Sequence, residues 1–509
     1  MTEPEQDASA GADPLGQLAA RGALVSLAGQ LGRVVVQFVG LVVLARLLDP
    51  RDYGLLAIAI VVIGIGEIVR DFGLTTAAVQ APTLSQEQRS ALFWINVAIG
   101  ATATVVVVAA APLVTTFFDD PDVVPFLRVC ALTFLVNGLA TQYRANLTRE
   151  MRFGRLVTCD LAGQIVGATV GITLAALGAG YWALVALQVG QYSSVLILLV
   201  VVSHWRPSRP RRRSGVGPLV RFGGHLVTTQ LIYYLGNNLD TLAISVRFTP
   251  AALGIYNRAF AMIVSPLNQI RTPATTVALP VLSRIGDDYD TAGRYLQRAQ
   301  LALGYSVGPA LALCAGASGA LVQLMLGTRW AAAAPLFAMF ALAGAASILA
   351  FPGLWTYLSR GMGADLMRYT LFTLGLQAVC VIGGSTWGVE GVAAGYLVAS
   401  LVEWPLSLFW LSRLTVIPLG ALARAGARIT GCSAVVGLAS FSATRLVADH
   451  AAPSALCLAV LAGVLAGGLT VLVPQVRSDL RQVLAFGRLM LRRAPGPAVE
   501  PQPHSSTSP

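Results

Sequence analysis

A succession of long apolar runs constrains this chain more than any other feature. Fourteen of them follow one another, at about 22–47, 53–78, 90–117, 123–146, 157–178, 181–203, 217–247, 252–282, 299–325, 331–358, 366–387, 390–412, 421–446 and 452–474. Each is long enough to cross the ~30 Å hydrocarbon core of a bilayer as a helix. In lipid, backbone groups must pair within a helix or a closed barrel, and the alternating pattern of barrel strands is absent. The expected fold is therefore an all-α integral membrane protein of about 14 transmembrane helices. Composition agrees, since only 12% of the residues are charged and mean hydropathy is +0.69.

The loops orient the spans. All 35 basic residues are arginine. With the N-terminus inside, Arg46, Arg51, Arg247, Arg258, Arg329 and Arg445 fall at outer ends and Arg33, Arg128 and Arg271 within spans; the other 26 face the cytosol. The opposite orientation would violate the positive-inside rule, so both termini are expected in the cytosol. The net charge of +11 is thus spread between spans, which fits anionic lipid headgroups rather than a nucleic acid. Its densest cluster is "WRPSRPRRRS", 205–214.

The absence of lysine removes whole classes of chemistry. Asp71-Phe72-Gly73 is not the magnesium motif of a kinase, which also needs a lysine on the nucleotide phosphates. The same holds for P-loops and Schiff-base catalysis. Six scattered cysteines in apolar stretches read as buried free thiols, and four scattered histidines support no metal cluster, so no cofactor is expected.

A weak repeat divides the chain. "LARLLDPRDYGLL" and "ISVRFTPAALGIY" align Pro50 and Gly54 with Pro250 and Gly254, an offset of 200. "LGAGYWALVA" and "WGVEGVAAGY" align Gly178 and Ala183 with Gly388 and Ala393, an offset of 210. The matches lie six spans apart, so the two halves insert the same way up, as in parallel-repeat transporters with a site between lobes. The organisation expected is a cytosolic tail (1–20), an N-lobe (21–204, spans one to six), a basic linker (205–216), a C-lobe (217–413, spans seven to twelve), two extra spans (414–475), an amphipathic interfacial helix (476–494) and a second tail (495–509).

Charges at membrane depth mark the candidate site. A charge at the bilayer centre costs at least ~2.5 kcal/mol, so such residues face a wet cavity or one another. Span one carries Gln30, Arg33 and Gln37 on one helical face, and span two carries Glu67, Arg70 and Asp71. Span seven carries Gln230, Tyr234, Asn237 and Thr241 on one stripe, with Asp240 adjacent; span eight carries Asn268, Arg271 and Thr275. The simplest arrangement points all four spans at one central cavity. Structural pairing, for example Glu67 with Arg70, is the alternative; for Arg128, Asp160 and Glu403 a structural role is favoured. Arginines suit an anion such as a phosphate, and the neighbouring amides and hydroxyls suit a sugar.

"LARLLDPRDYGLLAIA", "VRDFGLTTAAVQ", "GAGYWALVALQVGQ" and the block from Asn237 to Ile285 resemble bacterial polysaccharide flippases of the Wzx type, within the multidrug/oligosaccharidyl-lipid/polysaccharide exporter superfamily. The resemblance covers about 20–480. It implies two six-helix lobes plus two extra helices, alternating access, and a substrate of polyprenyl diphosphate carrying an oligosaccharide, moved from the cytosolic to the outer leaflet of the bacterial plasma membrane. It also implies work beside glycosyltransferases and a polysaccharide polymerase. Asn237, Asp240, Asn268 and Arg271 match the family's pattern. A drug/cation antiporter of the same superfamily is the nearest rival. A membrane enzyme of polysaccharide synthesis fits less well, because the outer loops are only a few residues long and no nucleophile or carboxylate pair stands out. A non-transporting scaffold would not need polar stripes on repeat-related helices.

Overall fold

The computed structural model describes residues 14–71, 85–114, 120–150, 152–209, 234, 236, 238–286, 288–417, 419–447 and 451–491. Side chains at 14–28, 30–31, 62, 65–71 and 486–491 are likewise outside the description. Among the described residues there is no strand. The N-lobe comprises α1 (Pro14–Leu47), α2 (Pro50–Asp71), α3 (Gln86–Val114), α4 (Val123–Cys130), α5 (Leu132–Arg149), α6 (Phe153–Ala176) and α7 (Trp182–Ser203). The C-lobe comprises α8 (Leu239–Arg247), α9 (Pro250–Ile285), α10 (Tyr289–Gly316), α11 (Ser318–Met325), α12 (Ala333–Ser359), α13 (Gly363–Gly384) and α14 (Gly388–Leu414). Beyond it follow α15 (Leu419–Leu446), α16 (Ala452–Thr470) and α17 (Pro474–Leu491).

Nine helical stretches among the described residues are long and apolar enough to cross a membrane, and they cover spans three to six and nine to fourteen of the expected set. Spans one, two, seven and eight are not among them. These carry the intramembrane charges or lie partly outside the described residues. The N-terminal tail to residue 13, most of the basic cluster, the first half of span seven, Asn237 and the C-terminal tail from 492 lie outside the described residues.

Small residues let the helices meet. Cys159, Gly163, Gly167, Gly171 and Ala175 form a buried i+4 stripe on α6. A Cβ on Gly167 would stand 2.7 Å from the Leu187 carbonyl oxygen of α7. In the other lobe, a Cβ on Gly395 of α14 would stand 2.2 Å from the Cys380 carbonyl oxygen of α13. Close backbone approach through small residues is how membrane helices associate without a hydrophobic driving force between them.

The repeat is visible as a contact. At the crossing of α2 with α9, a Cβ on Gly54 would lie 1.8 Å from the Pro250 carbonyl oxygen, and one on Gly254 would lie 1.9 Å from that of Pro50. The two residues paired by the offset of 200 therefore touch reciprocally, as in a two-fold interface where each side meets the other's counterpart. The offset of 210 is matched in conformation, for Gly178 and Gly388 have φ of +81° and +88°. Both favour glycine for that reason.

The lobes share one core near this crossing. It contains Leu44, Tyr53 and Phe126 from one lobe and Leu253, Tyr256 and Phe340 from the other. Trp330, fully buried, donates from Nε1 to the Ala45 carbonyl at 2.7 Å, and Tyr53 packs edge-on against it. Arg46 donates to the carbonyls of Leu324 and Met325, and Arg329 pairs with Asp49 at 2.9 Å. Toward the opposite ends the cores separate. Phe93, Tyr143 and Leu199 pack within the N-lobe, while Leu282, Leu296 and Trp355 pack within the C-lobe and its extension. The described residues thus seal the lobes together at the Pro50 and Pro250 end.

The cysteines are free, as expected; Cys130, Cys159 and Cys432 are buried, but Cys457 is exposed on α16. The amphipathic helix is present as α17, with a difference. Val476 and Asp479 are buried, and Asp479 accepts from Arg428 of α15 at 2.7 and 2.9 Å and from Tyr305 of α10 at 3.1 Å. Sequence periodicity assigned the apolar face to lipid; the buried Asp479 pair instead docks part of it on the protein.

Candidate functional site

Helix α9 determines the site. It runs 36 residues through Pro266, Pro273 and Pro280. Each proline deprives the carbonyl four residues earlier of its helical donor, which loosens the ladder at three levels. Two polar stripes run along this helix on different faces. Arg258, Ser265 and Gln269 follow one, and Asn268, Arg271 and Thr275 follow the other. Each stripe borders a different cavity.

The first cavity, about 450 Å³, lies between the lobes and is walled by α1, α2, α6, α7 and α9. Arg33 and Gln37 enter it from α1, Gln164 from α6, Gln188 and Gln191 from α7, and Arg258 from α9. Among the described residues no carboxylate lines it. Gln37 Nε2 reaches Ser265 Oγ across the lobes at 3.4 Å. Arg33 pairs with Asp160 at 3.5 Å, and Arg144 pairs with the same carboxylate. One carboxylate thus serves two guanidinium groups, leaving the cluster positive. Gln164 donates to the Arg33 carbonyl at 3.1 Å, while its own buried Oε1 has no partner. The Arg258 guanidinium stacks on Tyr53 at 3.9 Å, and its Nε is shut away without a hydrogen-bond partner. Such an arginine at membrane depth is costly unless it serves a ligand or a pair.

The second cavity, about 630 Å³, lies inside the C-lobe between α9, α12, α13 and α14. Arg271 and Glu403 both line it. Arg271 Nη2 donates to Ser347 Oγ at 2.6 Å, and its guanidinium stands 5.3 Å from the Phe351 ring centroid. Glu403, expected to be structural, is therefore a cavity residue facing the arginine's surroundings.

These placements revise the single central cavity expected from the sequence. Arg33 and Gln37 line the inter-lobe cavity, whereas Asn268 and Arg271 line the C-lobe cavity, with α9 as the wall between them. The one-cavity picture failed because adjacent residues of a helix point about 100° apart, so a polar stripe broad enough to look continuous in sequence serves two faces. Asp240 lines neither cavity. It is buried in α8, accepting from the Tyr256 hydroxyl at 2.7 Å and from the Thr241 N–H at 2.8 Å. Glu67, Arg70 and Asp71 fall in the last turns of α2, their side chains outside the described residues, and Asn237 is outside as well. Asp160 holds the structural place expected of it.

Sequence reasoning missed Arg258, counting it as a topology signal at an outer end. Its stripe with Ser265 and Gln269, at i, i+7 and i+11, was the available signal. It also missed the stripe of Tyr396, Ser400, Glu403 and Ser407 on α14 and that of Tyr369, Thr373 and Gln377 on α13.

Comparison with known proteins follows the same lines. Residues 43–335 match the family described as "Polysaccharide biosynthesis protein". The chain is 26% identical over 390 residues to the lipopolysaccharide biosynthesis protein WzxC of Escherichia coli (strain K12), covering 74% of this chain and 78% of that one. It is 26% identical over 435 residues to the teichuronic acid biosynthesis protein TuaB of Bacillus subtilis (strain 168), covering 83% and 88%. Its fold is similar to the lipid II flippase MurJ in an inward closed conformation, with a TM-score of 0.67 at 13% identity over 92% of this chain and 100% of that one. It is also similar to an inward-facing multidrug resistance transporter of the MATE family, with a TM-score of 0.53 at 14% identity over 79% and 99%.

Proposed function

The chain belongs to the polysaccharide biosynthesis protein family, and we propose that it is a flippase. It carries polyprenyl-diphosphate-linked oligosaccharide units from the cytosolic to the outer leaflet of the bacterial plasma membrane by alternating access, with both termini in the cytosol. The observation that carries the proposal is the inter-lobe cavity, where Arg33 and Arg258 enter from opposite lobes and no carboxylate among the described residues joins them in the lining. Guanidinium groups stay protonated and bind phosphate oxygens in pairs. In this reading Arg258 holds one phosphate and Arg33 the other, each from its own wall of the cavity. Gln37, Gln188 and Gln191 offer amides around them. A cationic drug would meet two arginines here, which disfavours the antiporter alternative.

Under this proposal the sealed end is the outer end, and the substrate enters from the cytosolic side. An inside-negative potential of 100 mV drives two negative charges outward, a gain of up to roughly 4.6 kcal/mol if the charge crosses the whole field. Glycosyltransferases supplying the lipid-linked unit and a polymerase consuming it are the implied neighbours.

The test is translocation of a fluorescent polyprenyl-diphosphate oligosaccharide in proteoliposomes. Arg258→Gln and Arg33→Ala are expected to abolish it while leaving insertion intact. Arg33→Lys keeps the charge but loses the planar fork, and should retain partial activity. Full transport by Arg258→Gln and Arg33→Ala together would refute the diphosphate assignment.

A further inference from the structure

The C-lobe cavity differs in chemistry from the inter-lobe cavity, and the difference names a ligand class. The inter-lobe cavity is cationic. Among the described residues the C-lobe cavity carries one arginine and one carboxylate, Arg271 and Glu403, so that charged lining balances. The rest of its polar wall is uncharged, and four different helices contribute to it. Asn268, Thr272 and Thr276 lie on exposed positions of α9, Ser347 on α12, Gln377 on α13 and Ser400 on α14. Polar groups at membrane depth that face no lipid face water or a ligand.

The hydroxyls of Thr272, Thr275 and Thr276 donate to the carbonyls of Asn268, Arg271 and Thr272; Thr275 Oγ1 already accepts from Trp355 Nε1 at 3.1 Å, so it is the lone pairs of Thr272 and Thr276 that remain to accept. The amides of Asn268 and Gln377 have no hydrogen-bond partner among the described residues, and an amide both donates and accepts. Arg271 donates and Glu403 accepts. Rings of Tyr369, Phe351 and Tyr396 provide flat apolar faces between these groups. Donors and acceptors in balance, aromatic faces and no net charge describe a site for an uncharged, hydroxyl-rich molecule. At about 630 Å³ the volume falls within the ~300–1,000 Å³ typical of small-molecule sites.

We infer that the C-lobe cavity is a glycan subsite, distinct from the diphosphate site and separated from it by α9. The inference rests on the flippase proposal and extends it to where the sugar sits. Asn268 and the next residue, Gln269, line different cavities about 100° apart around α9, so the two sites flank one helix at that level. Arg258 and Arg271 are 13 residues apart on α9, a rise of roughly 20 Å. A single substrate with a phosphate head and an extended oligosaccharide spans such distances, whereas a bare lipid diphosphate reaches only the first site. Glycan contacts then let the protein distinguish a completed unit from its lipid carrier.

The test compares two probes on the full-length protein in nanodiscs: polyprenyl diphosphate alone, and the same lipid bearing the host's oligosaccharide. Wild type is expected to bind the glycan-bearing probe more tightly. Gln377→Leu and Thr373→Val are expected to weaken that probe by roughly tenfold and leave the bare diphosphate unchanged. Arg258→Gln is expected to weaken both. Equal affinity of wild type for the two probes, or equal effects of Gln377→Leu on both, overturns the glycan subsite while the flippase proposal stands. Failure of wild type to bind either probe overturns the flippase proposal, and the subsite with it. Folding of each variant is checked by its thermal transition, and the second cavity variant, Thr373→Val, keeps the test decisive if Gln377→Leu misfolds.

Discussion

The crossing of α2 with α9 offers the sharpest perturbation. Gly54→Ala places a Cβ 1.8 Å from the Pro250 carbonyl oxygen. A carbon–oxygen contact tolerates about 3.3 Å, so the helices must separate by roughly 1.5 Å at that point. Both partners are backbone, and no side chain can swing away to relieve the clash. Forced overpacking of this kind costs about 1–3 kcal/mol. The cost falls on the state in which the lobes are sealed at this end, because an open crossing has no clash and gains helix propensity from alanine. The equilibrium should therefore shift about 5–150-fold toward opening of the sealed end. Ala259→Cys, at a fully buried position of the shared core, reports that opening in a background with the native cysteines replaced. A membrane-impermeant maleimide added outside should label it at least about fivefold faster in the Gly54→Ala background. Adding Gly254→Ala should change little more, since one separation relieves both clashes and neighbouring substitutions do not add. Unchanged labelling in folded Gly54→Ala protein would show that the reciprocal crossing does not hold the seal.

Other outcomes follow from the periphery. Asp479→Asn removes the buried partner of Arg428, and breaking such a pair costs about 3–5 kcal/mol when both groups are buried; Arg428 is 28% exposed, which lowers the figure. Amide exchange across 474–491 should accelerate, and unchanged exchange would refute the docking role. In the loop before α4, the Arg51 guanidinium holds the Asp120 carboxyl below the usual carboxylate range. Its stabilisation is present above the unfolded value of about 3.9 and is lost as pH falls through the lower folded value. The thermal stability of wild type should therefore exceed that of Arg51→Gln by at most about 1 kcal/mol at neutral pH, and the two should converge in strong acid. Reporter fusions at 120–122 should read outside and fusions at 206–209 inside; an inside signal at 120–122 would reverse the proposed orientation.

Much of this protein was legible in its sequence because the bilayer leaves so few options. A run of apolar residues that must satisfy its backbone in lipid becomes a helix, which is why spans three to six and nine to fourteen fall where hydropathy placed them. The equivalence of Gly54 and Gly254 was readable as an offset of 200, whereas their meeting at a crossing that leaves no room for a Cβ was not. Arg33 and Arg271, singled out as charges within spans, each line a cavity, though not the same one.

What the tertiary structure decided was which face of each helix meets which neighbour. Hydropathy averages over a helix and cannot tell that Asn268 and Gln269 open into different cavities. A charge near a span end looks like a topology signal until packing brings Arg258 onto Tyr53 and into the inter-lobe cavity. Asp240 looks like a site residue until a tyrosine from the next helix closes over it. Asp479 looks like a solvated charge on an interfacial helix until Arg428 meets it from α15. In each case the sequence determined that a polar group would sit in or beside the membrane, and only the packing of helices against one another determined whether it met a cavity or another side chain.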